Sequence, residues 1–132
     1  VKILIDTNVL IAAYTSYGVC ANVVNYCMKE HQLCTSEFIL TELEKQLQKK
    51  FNLSEKEAKE VSGLIRKVSL VAEYGYNIIP KVCRDPDDNH ILVAAEVLNV
   101  DYIITGDNDL LELKKYKGIS IITPREFILK EF

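Results

Sequence analysis

The chain has 132 residues, of which 48% are hydrophobic and 27% charged, with five Gly and three Pro. This excludes disordered, collagen-like and low-complexity chains and suits a single domain over 1–132. Sixteen basic residues against 19 acids give a net charge of -3, which taken whole argues against a polyanionic partner. No apolar run reaches the ~18 residues that span a bilayer and no signal-peptide layout is present, so a soluble, cytoplasmic protein without membrane contact is expected.

Val1-Lys2-Ile3-Leu4-Ile5 reads as a buried strand that stops at the polar edge Asp6-Thr7-Asn8. Val19, Val23, Tyr26 and Cys27 predict a helix from about Gly18 to Glu30, and 32–35 a second strand. Ser36 reads as the N-cap of a helix with the stripe Ile39, Leu40, Leu43 and Leu47, ending near Phe51-Asn52. Ser54 and Glu57 form a capping box for a long helix that stops at Gly75. These two helices make a protruding hairpin. Residues 77–82 read as an edge strand, because Pro80 lacks a ladder donor. Asp85-Pro86 opens a helix that covers 88–98, and a strand over 102–105 ends at Gly106-Asp107. A short helix over 110–113 precedes Gly118, a strand over 119–122 and a last helix capped by Thr123-Pro124, carrying Phe127, Ile128 and Phe132. Strands alternating with helices, and no good two-residue hairpin turn, predict an α/β fold: a three-layer α/β/α sandwich around a mainly parallel, twisted sheet.

In such sheets the ligand crevice lies beyond the carboxyl ends of the strands. Asp6 follows the first strand and Asp107 the strand over 102–105, so both fall on that edge. Asp88 precedes Ile91, Leu92 and Ala95 by three, four and seven positions, which points its carboxylate inward, where it needs a cation or hydrogen-bond partners. Asp85 and Asp87 read as acids that complement the helix dipole. Glu42 flanks the apolar stripe of the Ser36 helix; its claim rests on convergence with the other acids. Carboxylates around one crevice stay ionised with a hard divalent cation, and an oxygen-only set favours one or two Mg²⁺ or Mn²⁺ ions, a site suited to phosphate chemistry.

Ile5-Asp6-Thr7-Asn8-Val9-Leu10, Glu42, Asp85-Pro86-Asp87-Asp88 and Thr105-Gly106-Asp107-Asn108-Asp109-Leu110 together resemble the PIN-domain nucleases. The likeness is closest to the stand-alone, VapC-like toxins of toxin–antitoxin systems, and order and spacing agree over nearly the whole chain. It implies a PIN-like fold and a metal-dependent endoribonuclease with Asp6, Glu42, Asp88 and Asp107 as the catalytic, metal-holding cluster, leaving a 5′-phosphate and a 3′-hydroxyl. It also implies that Thr7, Asn8 and Thr105 orient carboxylates or water. Asp109 has two readings, a metal contact through water or the cap of the Leu110 helix, and the cap is preferred. The partners implied are single-stranded or structured RNA, an antitoxin protein and a second copy of the chain. The alternatives are a non-catalytic module that binds metal, RNA or a partner, and a small phosphatase, which Asn8 disfavours by standing where a second Asp is needed.

The remaining features have plainer readings. Cys20, Cys27, Cys34 and Cys83 form no metal-finger pattern and read as buried thiols. Seven basic residues of the hairpin interleave with glutamates as a solvated face. His90 points away from the buried face of its helix, His31 lies at a helix end, and Tyr14, Tyr17 and Tyr26 suit packing better than base stacking. Without Asp6, Glu42, Asp88 and Asp107, 15 acids face 16 bases. The acidity therefore belongs largely to the pocket, and RNA binding becomes conditional on metal.

Overall fold

Ile3, Leu4 and Ile5 are fully buried, as three consecutive apolar residues must be in a strand covered on both faces. A computed structural model describes residues 1–16, 18–75 and 79–131. The strands are β1 (Lys2–Ile5), β2 (Gln32–Ser36), β3 (Ser69–Ala72), β4 (Tyr102–Ile104), β5 (Lys115–Tyr116) and β6 (Ile119–Ile122), and the helices are α1 (Thr7–Thr15), α2 (Val19–Glu30), α3 (Glu37–Phe51), α4 (Glu55–Val68), α5 (Pro86–Leu98), α6 (Asn108–Leu111) and α7 (Pro124–Glu131). The sheet order is β3-β2-β1-β4-β6-β5, parallel throughout except for the β5–β6 pair.

From β1 the chain moves to β2 and then β3, and only afterwards crosses back to β4 and on to β6. Right-handed crossovers put α1 to α4 on one face and α5 on the other. The direction of winding reverses between β1 and β4, which are neighbours in register Ile3↔Tyr102, Leu4↔Ile103 and Ile5↔Ile104. Their carboxyl ends mark the topological switch point, where a crevice opens.

Local chemistry sets most helix starts. The Ser36 hydroxyl accepts from Ile39 N–H, and Ser54 and Glu57 make the expected reciprocal capping box. The Arg66 guanidinium forks onto the Glu37 carboxylate and ties the end of α4 to the start of α3. Tyr26 packs edge-on against Phe127 and His31, and His31 pairs with Glu131. All four cysteines are free thiols, but only Cys27 and Cys34 are buried; Cys20 and Cys83 are half-buried.

Three expectations are corrected, and one helix is additional to them. The polar edge at Asp6 is followed at once by α1, whose Val9, Leu10 and Ile11 are buried. Helix α4 stops at Val68, seven residues before Gly75, because Ser69 to Ala72 pair with Leu33 to Ser36 as the parallel edge strand β3. No strand includes 79–82, and the backbone N–H groups of Val82 and Cys83 donate instead to Asn89 Oδ1 at 3.1 and 2.9 Å. The rest of that predicted strand, Asn77 and Ile78, lies outside the described residues, as do Tyr17 and Phe132. A two-residue hairpin turn does exist: Lys117 and Gly118, with φ of 48° and 83°, join β5 to β6.

Candidate metal centre

Asp6 is the residue at which β1 ends and α1 begins. Its backbone N–H donates to Ile104 O at 3.0 Å, which locks the end of β1 onto the end of β4. Asp6 Oδ1 accepts from the Thr7 backbone N–H at 2.7 Å, and Oδ2 accepts from the Thr105 hydroxyl at 2.7 Å. Thr105 Oγ1 also accepts from the Asp107 N–H at 3.0 Å, and Asp107 Oδ1 accepts from the Asp109 N–H at 2.8 Å. One run of hydrogen bonds thus fixes the carboxylates at the ends of the two central strands. Thr105, fully buried, acts through Asp6 and does not face the crevice.

Asp88 comes from the opposite side, in the first turn of α5 behind the Asp85 cap and Pro86. The crevice between holds about 180 Å³ and is lined by Asp6, Glu42, Asp85, Asp87, Asp88 and Asp107 together with Thr7 and Asn8, and by no lysine or arginine among the described residues. One carboxylate oxygen each from Asp88, Asp107 and Asp109 lie within 4.8 Å of one another. Glu42, in the second turn of α3, lines the same crevice but is outside that trio, and its carboxylate lies 3.7 Å from Lys45 Nζ. Asp109 sits at the outer side of the trio, where Arg84 donates to its Oδ1 at 2.7 Å. The cap of α6 is Asp107, whose side chain accepts from Asp109 N–H; the preferred capping role for Asp109 is therefore corrected.

Asp88 is 6% exposed. Burial, then the hydrogen-bonding approach and charge of Asp107, push its carboxyl up to about 7. Its Oδ2 is buried with no hydrogen-bond partner. Asp6 is raised too, chiefly by burial, against which the Thr105 and Thr7 hydrogen bonds work. An orphaned carboxylate oxygen among like charges is costly unless a cation meets it. The oxygen-only donor set fits a hard divalent ion of the Mg²⁺ or Mn²⁺ kind.

Sequence reasoning missed Asn89, 5% exposed, whose side chain holds the segment that leads into the acidic turn. Asp85 and Asp87 stand at the cap and in the first turn of α5, as the dipole reading has them, and also line the crevice. The only signal for Asn89 is a polar residue in the first turn of an otherwise apolar helix.

The fold resembles two solved structures of low sequence identity. The first is the crystal structure of VapBC2 from Rickettsia felis bound to a DNA fragment from their promoter, with a TM-score of 0.64 and 13% identity over 93% of this chain and 98% of that one. The second is FitAB bound to an IR36 DNA fragment, with a TM-score of 0.62 and 15% identity over 92% of this chain and 94% of that one. No curated protein matches by sequence. Residues 2–109 match the PIN domain, a family whose members are generally nucleases. The chain belongs to the PIN domain family.

Proposed function

We propose that this chain is a metal-dependent endoribonuclease that hydrolyses RNA phosphodiester bonds at Asp6, Glu42, Asp88 and Asp107, with Asp109 as a further metal contact, and that it is the toxin of a toxin–antitoxin pair. The observation that carries the reading is the orphaned Asp88 Oδ2 in a crevice walled by carboxylates. A bound Mg²⁺ or Mn²⁺ supplies charge neutralisation, a water of lowered pKa and polarisation of a phosphate oxygen. Thr105 and the Thr7 N–H hold Asp6 in one orientation, so that each of its oxygens keeps lone-pair capacity toward the crevice. The Asp109 N–H does the same for Asp107. Asn8 lines the crevice, which supports a role in orienting water or a phosphate oxygen.

The antitoxin part of the reading is supported by the two similar structures, VapBC2 and FitAB, each bound to a DNA fragment. The test is cleavage of single-stranded RNA by the purified chain in Mn²⁺. Asp6→Asn and Asp88→Asn should each lower the rate at least ~100-fold with the far-UV spectrum unchanged, as loss of a metal ligand or its support does. Undiminished cutting in excess chelator would overturn the proposal.

A further inference from the structure

Helix α3 lines one side of the acidic crevice. There it meets a second, larger cavity of about 490 Å³, and Phe38 and Glu42 line both. That volume lies within the ~300–1,000 Å³ typical of small-molecule sites. One wall of it is aromatic. The Phe38 and His90 rings stack with centres 4.1 Å apart and planes 3° from parallel, and the Tyr74 hydroxyl lies 2.8 Å from His90 Nδ1. The three rings come from α3, α5 and the segment after β3, and all are half-buried. Stacking on His90 fixes the orientation of the Phe38 ring, which lines the cavity, and so orders that ring at little further entropic cost to a ligand.

The charges in the cavity decide what kind of group fits. Glu37, Glu42 and Glu73 line it against one ammonium, Lys45. Lys45 is already beside Glu42 and Glu37 is engaged by Arg66. A phosphate would be repelled there, whereas a neutral, flat group would find an aromatic wall with the Thr41 and Tyr74 hydroxyls near it. We infer that this cavity receives an unpaired base of single-stranded RNA, next to the phosphate held at the carboxylates. Duplex bases are stacked and paired, so the site selects strands whose bases can turn out. The inference rests on the nuclease reading for the position of the phosphate, while the stacking site itself is defined by Phe38, Tyr74 and His90.

The test uses an eight-nucleotide single-stranded RNA with 2-aminopurine placed at successive positions, mixed with the full chain in Ca²⁺ for binding and in Mn²⁺ for cutting. Fluorescence should be quenched strongly at one position, adjacent to the bond that is cut. Phe38→Leu, which keeps apolar volume without a ring, should abolish that quenching and weaken binding about tenfold, in the range that loss of one stacked base produces. Phe38→Tyr should restore both. His90→Leu, on the other half of the stack, gives the same readout if Phe38→Leu does not fold. Equal quenching and affinity in the ring-less variants overturns the base site and leaves the nuclease standing. Quenching that depends on Phe38, in a protein that never cuts RNA, supports the base site and overturns the nuclease instead.

Discussion

Asp88 is where burial and charge conflict most sharply. With no cation present, its carboxyl is pushed up to about 7 by burial and by Asp107, against an ordinary value of 3.8. The folded chain therefore holds a proton there that the unfolded chain gives up near pH 4. The stabilisation from this group is complete below about pH 4 and is lost as the pH rises through about 7. Melts in chelator should show the protein less stable at pH 8 than at pH 5.5. Asp88→Asn should flatten that dependence and raise stability at pH 8 by roughly 1–3 kcal/mol, several degrees in Tm. Metal and proton compete for the same oxygens, so Mn²⁺ should raise the Tm of the natural chain more at pH 8 than at pH 5.5, and Asp88→Asn should lose most of the rise. A Tm independent of pH in chelator would contradict this account.

Helices whose ends are written in side chains and central strands written as continuous apolar runs were readable, and the edge strands β3 and β5 were not. Ser36, the Ser54–Glu57 box and Asp85-Pro86 announce α3, α4 and α5 because capping is local chemistry. Strand β3 exists because Leu33 to Ser36 offer it a partner, and nothing in Ser69-Leu70-Val71-Ala72 distinguishes an edge strand from one more turn of helix. The β5–β6 turn was hidden for another reason: Lys117 occupies a left-handed position that Asn or Gly usually fills. This gives a paired expectation for thermal melts. Gly118→Ala, whose Cβ would meet open space at φ +83°, should cost about 1 kcal/mol from backbone strain alone. Lys117→Asn exchanges the exposed Lys117–Glu96 ion pair for a residue that enters the left-handed region more easily, and should change stability by less than about 0.5 kcal/mol; a gain or loss above about 1 kcal/mol would contradict that balance.

Seen whole, the winding reversal between β1 and β4 explains why part of the candidate site could be read from sequence. Asp6 and Asp107 follow strand ends and Asp88 opens a helix, places at which an acid can be mapped before any contact is known. Glu42 carries no such mark, because a flank position on α3 is solvated unless a facing wall happens to be there. Asp107 and Asp109 could not be told apart as caps, since both stand at the mouth of a four-residue helix. The molecule also leaves Leu64, Tyr14 and Met28 exposed around an apolar groove of α1, α2 and α4, lined by Leu10, Val24 and Val61 as well. With a second copy as the expected partner, light scattering at high micromolar concentration should give the mass of two chains, and a monomer at that concentration would refute the expectation. The hydrogen bond from Thr105 to Asp6 joins residues 99 apart in the chain. A growing polypeptide that has made Asp6 has neither Thr105 to orient it nor Asp107 beside it until β4 has left the ribosome, 99 residues later. The acidic crevice is thus completed only once β4 is made, and a chain interrupted between the two is released without it.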